Sequence, residues 1–78
     1  MNILVLNGPN LNLLGTREPE VYGTDTLKDI ENNLQNIAKK SNTNLSFYQS
    51  NSETDLIDQL HEASKNNINY IIINPGAF

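Results

Sequence analysis

The chain carries a single arginine, Arg17, and five residues beyond it a tyrosine, Tyr22, in a segment bounded by Gly15 and Gly23. The other cations are lysines, Lys28, Lys39, Lys40 and Lys65, all in stretches that read as helix surface. A phenol ionises near pH 10 and is by itself a poor base at neutrality. A close, dry guanidinium favours the phenolate and lowers its pKa by about 1–3, without surrendering a proton of its own. Glycine hinges allow such a segment to close over a substrate, expel water and strengthen the coupling. Glu18 and Glu20 oppose the effect unless they pair outward or orient Arg17. One reading is a lid carrying a general base. The plainer one is a surface loop whose tyrosine anchors on the domain and whose arginine answers two glutamates.

Other polar groups stand at chain breaks. Asn10 and Asn12 follow Gly8-Pro9. At Asn10 the residue type fits a turn former or cap. Asn12 lies between leucines, where a turn explains less and an amide donor to a developing oxyanion explains more. Asn74 precedes Pro75-Gly76, a turn that lets backbone N–H groups approach a ligand closely. His61 falls in the middle of a helical stretch, on the wrong side for catalysis. Asp25, Asp29, Asp55 and Asp58 belong to helix caps or exposed faces. No spacing suits a metal, and neither a dinucleotide fingerprint nor a phosphate-binding Gly-Lys-Ser/Thr loop occurs.

The elements that must position these groups follow from periodicity. Ile3 to Leu6 is an unbroken apolar run ended by Asn7-Gly8-Pro9, which suits a strand buried on both faces. A helix is predicted from about Thr26, where Thr26-Leu-Lys-Asp29 fits a capping box. Leu27, Ile30, Leu34 and Ile37 recur at helical spacing, and Lys39-Lys40 sits where the helix dipole favours cations. Leu45 to Gln49 reads as a second strand. A second helix is expected from about Thr54 to Lys65, with Leu56, Ile57, Leu60 and Ala63 as its buried stripe. Tyr70 to Ile73 is the third strand. The order βαβαβ implies α/β architecture, a parallel sheet with right-handed crossovers. Strand order 2-1-3 would put the helices on opposite faces and create a reversal point beyond the carboxyl ends of the strands, where ligands collect. Asn10, Asn12, Arg17, Tyr22, Asn74 and Gly76 converge there.

Composition narrows the partners. At 78 residues the chain is at most one small domain, burying about 60–65% of its unfolded surface. Net charge is −4 and no basic stripe exists, which argues against nucleic acid. Cysteine is absent, removing disulfide and thiolate chemistry. The opening residues lack the pattern of a signal peptide and no stretch approaches the roughly 18 apolar residues of a membrane span, so a cytoplasmic location is expected. Asparagine occurs fourteen times, so only those with a reason to face a cleft carry weight.

Four blocks together, Asn7-Gly-Pro-Asn-Leu-Asn-Leu-Leu-Gly15, Arg17-Glu-Pro-Glu-Val-Tyr-Gly23, Gln49-Ser-Asn51 and Ile73-Asn-Pro-Gly-Ala77, resemble the type II 3-dehydroquinate dehydratases (3-dehydroquinases). The resemblance runs along the whole chain in the right order. It implies a flavodoxin-like three-layer α/β fold, here the N-terminal part of a single domain over residues 1–78, and assembly as a dodecamer of trimers. It also implies cofactor-free anti elimination of water from 3-dehydroquinate to 3-dehydroshikimate, through an enolate, in the shikimate pathway or in quinate breakdown. Carried over by position, Tyr22 would remove the C2 proton as tyrosinate, Arg17 would keep it ionised, and Asn12 would steady the enolate through water. Asn74 would bind substrate hydroxyls, and backbone at Gly76 and Ala77 would line the pocket.

The departure is length. Members of this family are about twice as long, and their second half supplies the acid that protonates the leaving hydroxyl and the cradle for the substrate carboxylate. Elimination needs both base and acid, so this chain alone is expected to be inactive and to need a complementary C-terminal half. The Ile71-Ile-Ile73 edge is expected to invite another chain. Two rival functions stand beside the enzyme: a non-catalytic interaction subunit that associates through that edge, and a small-anion binding module at the strand-end loops.

Overall fold

The computed structural model describes residues 1–15 and 25–76. Three strands, β1 (Asn2–Asn7), β2 (Asn44–Gln49) and β3 (Tyr70–Asn74), form one parallel sheet in the order β2-β1-β3. Helix α1 (Leu27–Lys40) joins β1 to β2, and α2 (Glu53–Ala63) joins β2 to β3. A short 3-10 turn, Leu11–Leu13, follows β1. The expected α/β order and strand sequence are both present. Right-handed crossovers that run in opposite directions across the sheet, β1 to β2 and then β2 to β3, put α1 and α2 on opposite faces, giving three layers.

Alternation along β1 divides the core in two. Leu4 and Leu6 point to one face, where they pack with Leu56 and Ala63 of α2, flanked by Tyr48, Leu60 and Ile68. Val5 points to the other face, beside Phe47 in register, where Ala38 of α1 is buried. Leu6 is the most enclosed side chain, 1% exposed. The amide of Gln35 crosses from α1 to donate to the Leu45 carbonyl at 3.0 Å. At the amino ends of the strands a row of asparagines stitches the sheet: Asn44 Nδ2 donates to Asn2 Oδ1, and the Asn2 N–H donates to Asn69 Oδ1.

Local chemistry sets the helix starts. The Thr26 hydroxyl accepts from the Asp29 N–H at 3.2 Å while Asp29 Oδ2 accepts from the Thr26 N–H at 3.0 Å, a reciprocal capping box. The Ser52 hydroxyl accepts from the Asp55 N–H and opens α2. Asn42, at φ 51°, turns the chain out of α1.

Both predicted helix stripes are only partly buried. Ile30 and Ile37 of α1 and Ile57 of α2 are exposed, while Ala38, which the periodicity left out, is buried. The helices rest on β1 and β2, and these isoleucines lie on the flanks of their stripes. All of β3 is exposed, Ile72 at 53% and Ile73 at 54%. A strand apolar on both faces and open on both faces marks surface that a larger α/β sheet would cover.

Candidate functional site

The register brings the carboxyl ends of the strands into one row: Asn7 lies opposite Gln49 on one side and Asn74 on the other. Three loops leave from that row. The loop after β1 and the loop after β3 are joined by backbone, with the Gly8 N–H donating to the Asn74 carbonyl at 2.8 Å. The loop after β2 is tied in by the Ser50 N–H, which donates to the Asn7 carbonyl at 3.0 Å.

Two glycines make this junction possible. A Cβ on Gly8 would sit 2.2 Å from the Pro75 carbonyl oxygen, and one on Gly76 would sit 2.6 Å from the Pro9 carbonyl oxygen. Gly76 also has φ +62°, where a side chain is strained. The Pro75-Gly76 turn is therefore pressed against Gly8-Pro9, backbone to backbone. Asn74 and Gly76, both expected at the mouth, are there.

Asn10 takes a left-handed conformation, φ 68°, at the start of the 3-10 turn, and its side chain makes no capping bond. The turn-former reading of Asn10 thus describes its backbone. Asn12 is exposed within the turn, and its Oδ1 is approached by Gln49 Nε2 at 3.5 Å. Gln49 Nε2 also donates to the Gly8 carbonyl and to Asn51 Oδ1, each at 3.2 Å, and Asn51 Oδ1 accepts from the Asn10 N–H at 3.0 Å. Reasoning from loops after β1 and β3 assigned no role to Gln49 or Asn51. The signal was their position at the end of β2, beside the central strand.

Arg17, Tyr22 and Ala77 lie outside the described residues. Among the described tyrosines neither suits a base at this mouth. Tyr48 donates to Asp55 Oδ2 at 2.7 Å. That hydrogen bond, then burial and the Asp55 charge, hold its phenol above the usual value of 10.0. Tyr70 opens β3, at the opposite end of the sheet. His61 is exposed late in α2, which runs away from the mouth.

The family model described as Dehydroquinase class II matches residues 1–78. The chain belongs to the class II dehydroquinase family. A 3-dehydroquinate dehydratase of Buchnera aphidicola subsp. Acyrthosiphon pisum (strain Tuc7) is 62% identical over 78 residues, which are all of this chain and 51% of that protein. One of Bacillus licheniformis is 60% identical over 77 residues, 99% of this chain and 52% of that protein. The crystal structure of the type II dehydroquinase from Butyrivibrio crossotus DSM 2876 superimposes with TM-score 0.93 at 45% identity, covering 99% of this chain and 53% of that one. That from Propionibacterium acnes gives TM-score 0.83 at 38% identity, with 95% and 50% covered. The chain thus spans about half the length of the relatives it matches. Its βαβαβ sheet is the flavodoxin-like α/β arrangement expected of that family, and no helix of the described residues is long and apolar enough to cross a membrane.

Proposed function

We propose that this chain carries the proton-abstracting half of a 3-dehydroquinate dehydratase site. The observation that supports the reading most is the family match over residues 1–78, joined to a mouth where Asn12, Asn74 and Gly76 converge. Tyr22, ionised under the influence of Arg17, takes the C2 proton of 3-dehydroquinate. The C–H electron pair moves onto the ketone, and Asn12 steadies the resulting enolate through a water molecule. The enolate then collapses and the hydroxyl departs as water from the opposite face, protonated by an acid group supplied by a complementary C-terminal half. Asn74 holds substrate hydroxyls, and backbone at Gly76 and Ala77 lines the pocket. No step uses a cofactor.

The exposed β3 edge, with Ile30, Ile37 and Ile57 bare on either face, supports docking of that complementary half as a further parallel strand with its helices. Residues 1–78 are thus the N-terminal part of one domain, and the completed domain assembles as the homododecamer of trimers in the cytoplasm. The same edge favours a second reading, an interaction subunit without catalysis.

Substrate labelled with deuterium in one C2 position at a time separates these readings. In the complemented assembly, loss of the label anti to the leaving hydroxyl, with the syn label retained in the product, is expected. Loss of the syn label overturns the anti elimination, and no turnover at all overturns the enzymatic reading.

A further inference from the structure

The amides at the mouth form a chain whose polarity can be read from its two backbone ends. The Asn10 N–H can only donate, so the Asn51 atom 3.0 Å from it is the carbonyl Oδ1. The Gly8 carbonyl can only accept, so the Gln49 atom 3.2 Å from it is the amino Nε2, which also donates to Asn51 Oδ1 at 3.2 Å. With both ends anchored, the Asn12 atom facing Nε2 at 3.5 Å is Oδ1, because two amino groups would confront each other otherwise. At that distance the contact orients and does little more.

We propose that Gln49, held by Asn51, is a positioning residue that fixes which way the Asn12 amide is turned. The Asn12 carbonyl is held against Gln49, and its two N–H donors are left on the side away from the network. An amide that is to steady negative charge must present its N–H groups and keep its oxygen occupied. Gln49 Nε2 faces three acceptors with two hydrogens, so the Asn12 oxygen shares one of them with the Gly8 carbonyl or Asn51 Oδ1. The same Nε2 clamps Gly8, so the orientation of Asn12 is tied to the junction between the β1 and β3 loops. The inference rests on Asn12 acting as the enolate donor only for its catalytic consequence; the orientation itself follows from the hydrogen bonds.

Two isosteric acids separate polarity from packing, since each adds one negative charge and changes no shape. Gln49→Glu replaces the donor by an acceptor, whereas Asn51→Asp keeps the acceptor that the network needs. Nitrogen-15 NMR of the 78-residue chain reads orientation directly. The Asn10 amide is expected to exchange more than about tenfold slower than in an open peptide, in the parent and in Asn51→Asp. No strong cross-relaxation is expected between the side-chain amide protons of Asn12 and Gln49 in the parent. Gln49→Glu is expected to shift the Asn12 side-chain amide signals more than Asn51→Asp does. In the complemented enzyme, kcat should fall at least about tenfold further in Gln49→Glu than in Asn51→Asp, with KM affected alike. An unprotected Asn10 amide, strong Asn12–Gln49 amide cross-relaxation, or equal losses in the two variants would overturn the proposal. If the complemented parent turns over no 3-dehydroquinate, the functional reading fails while the NMR outcomes still decide the orientation.

Discussion

Gly8 shows how little room the mouth leaves for change. A methyl group there meets the Pro75 carbonyl at 2.2 Å, a backbone atom that cannot swing aside as a side chain would. Gly8→Ala should therefore cost about 3 kcal/mol, the upper range for overpacking, measured as a lowered urea midpoint; an unchanged midpoint would mean that the two loops part easily. Tyr48 yields a pH prediction of opposite character. Its hydrogen bond to Asp55 raises the phenol pKa in the folded state. The contribution to stability is then full below about pH 10, the unfolded value, and is lost as pH rises through the higher folded one. Tyr48→Phe should flatten the alkaline fall in urea midpoint; parallel curves for parent and variant would contradict this. Asn12 and Asn74 could be placed at the mouth from sequence because one lies in the loop that leaves β1 and the other ends β3. The Gln49–Asn51 network could not, because it depends on which side-chain atoms meet across a register that only folding sets.

The elements were legible where one local rule decided them. Unbroken apolar runs marked β1 and β3, and Thr26 with Asp29 announced the first helix through residues three positions apart. Thr26→Ala removes one side of that box and should lower stability by about 1 kcal/mol, read by chemical denaturation and by loss of helical circular dichroism in α1. A change below a few tenths would mean that packing of Ala38 and Gln35 holds the helix start without the cap. Ile30, Ile37 and Ile57 were harder, because periodicity names an apolar face without naming what lies against it. Leu27, Ile30, Leu34 and Ile37 read as one stripe, but the sheet beneath α1 covers only part of it. Ala38 is buried in their place because its small side chain lets the helix approach the β1–β2 side closely.

At the scale of the whole molecule, the unequal dressing of the sheet is the dominant feature. β1 is enclosed on both sides while β3 is bare on both faces. Apolar strand edges of this kind recruit other chains, so the isolated chain should self-associate. Ile72→Lys should reduce association in sedimentation experiments while leaving unfolding stability within about 0.5 kcal/mol, as expected of an exposed position. Unchanged association would place the contact elsewhere. The chain aligns with 51% of the Buchnera relative, and a strand bare on both faces is surface of the kind that a larger α/β sheet covers.

Appearance of the conjugated enone from 3-dehydroquinate, followed in the complemented assembly with and without Tyr22→Phe, tests the central claim most directly. A tyrosinate base predicts measurable turnover by the parent and a loss of at least about 100-fold in kcat on removing the hydroxyl, in the range for a general base. Turnover that survives Tyr22→Phe undiminished would contradict it.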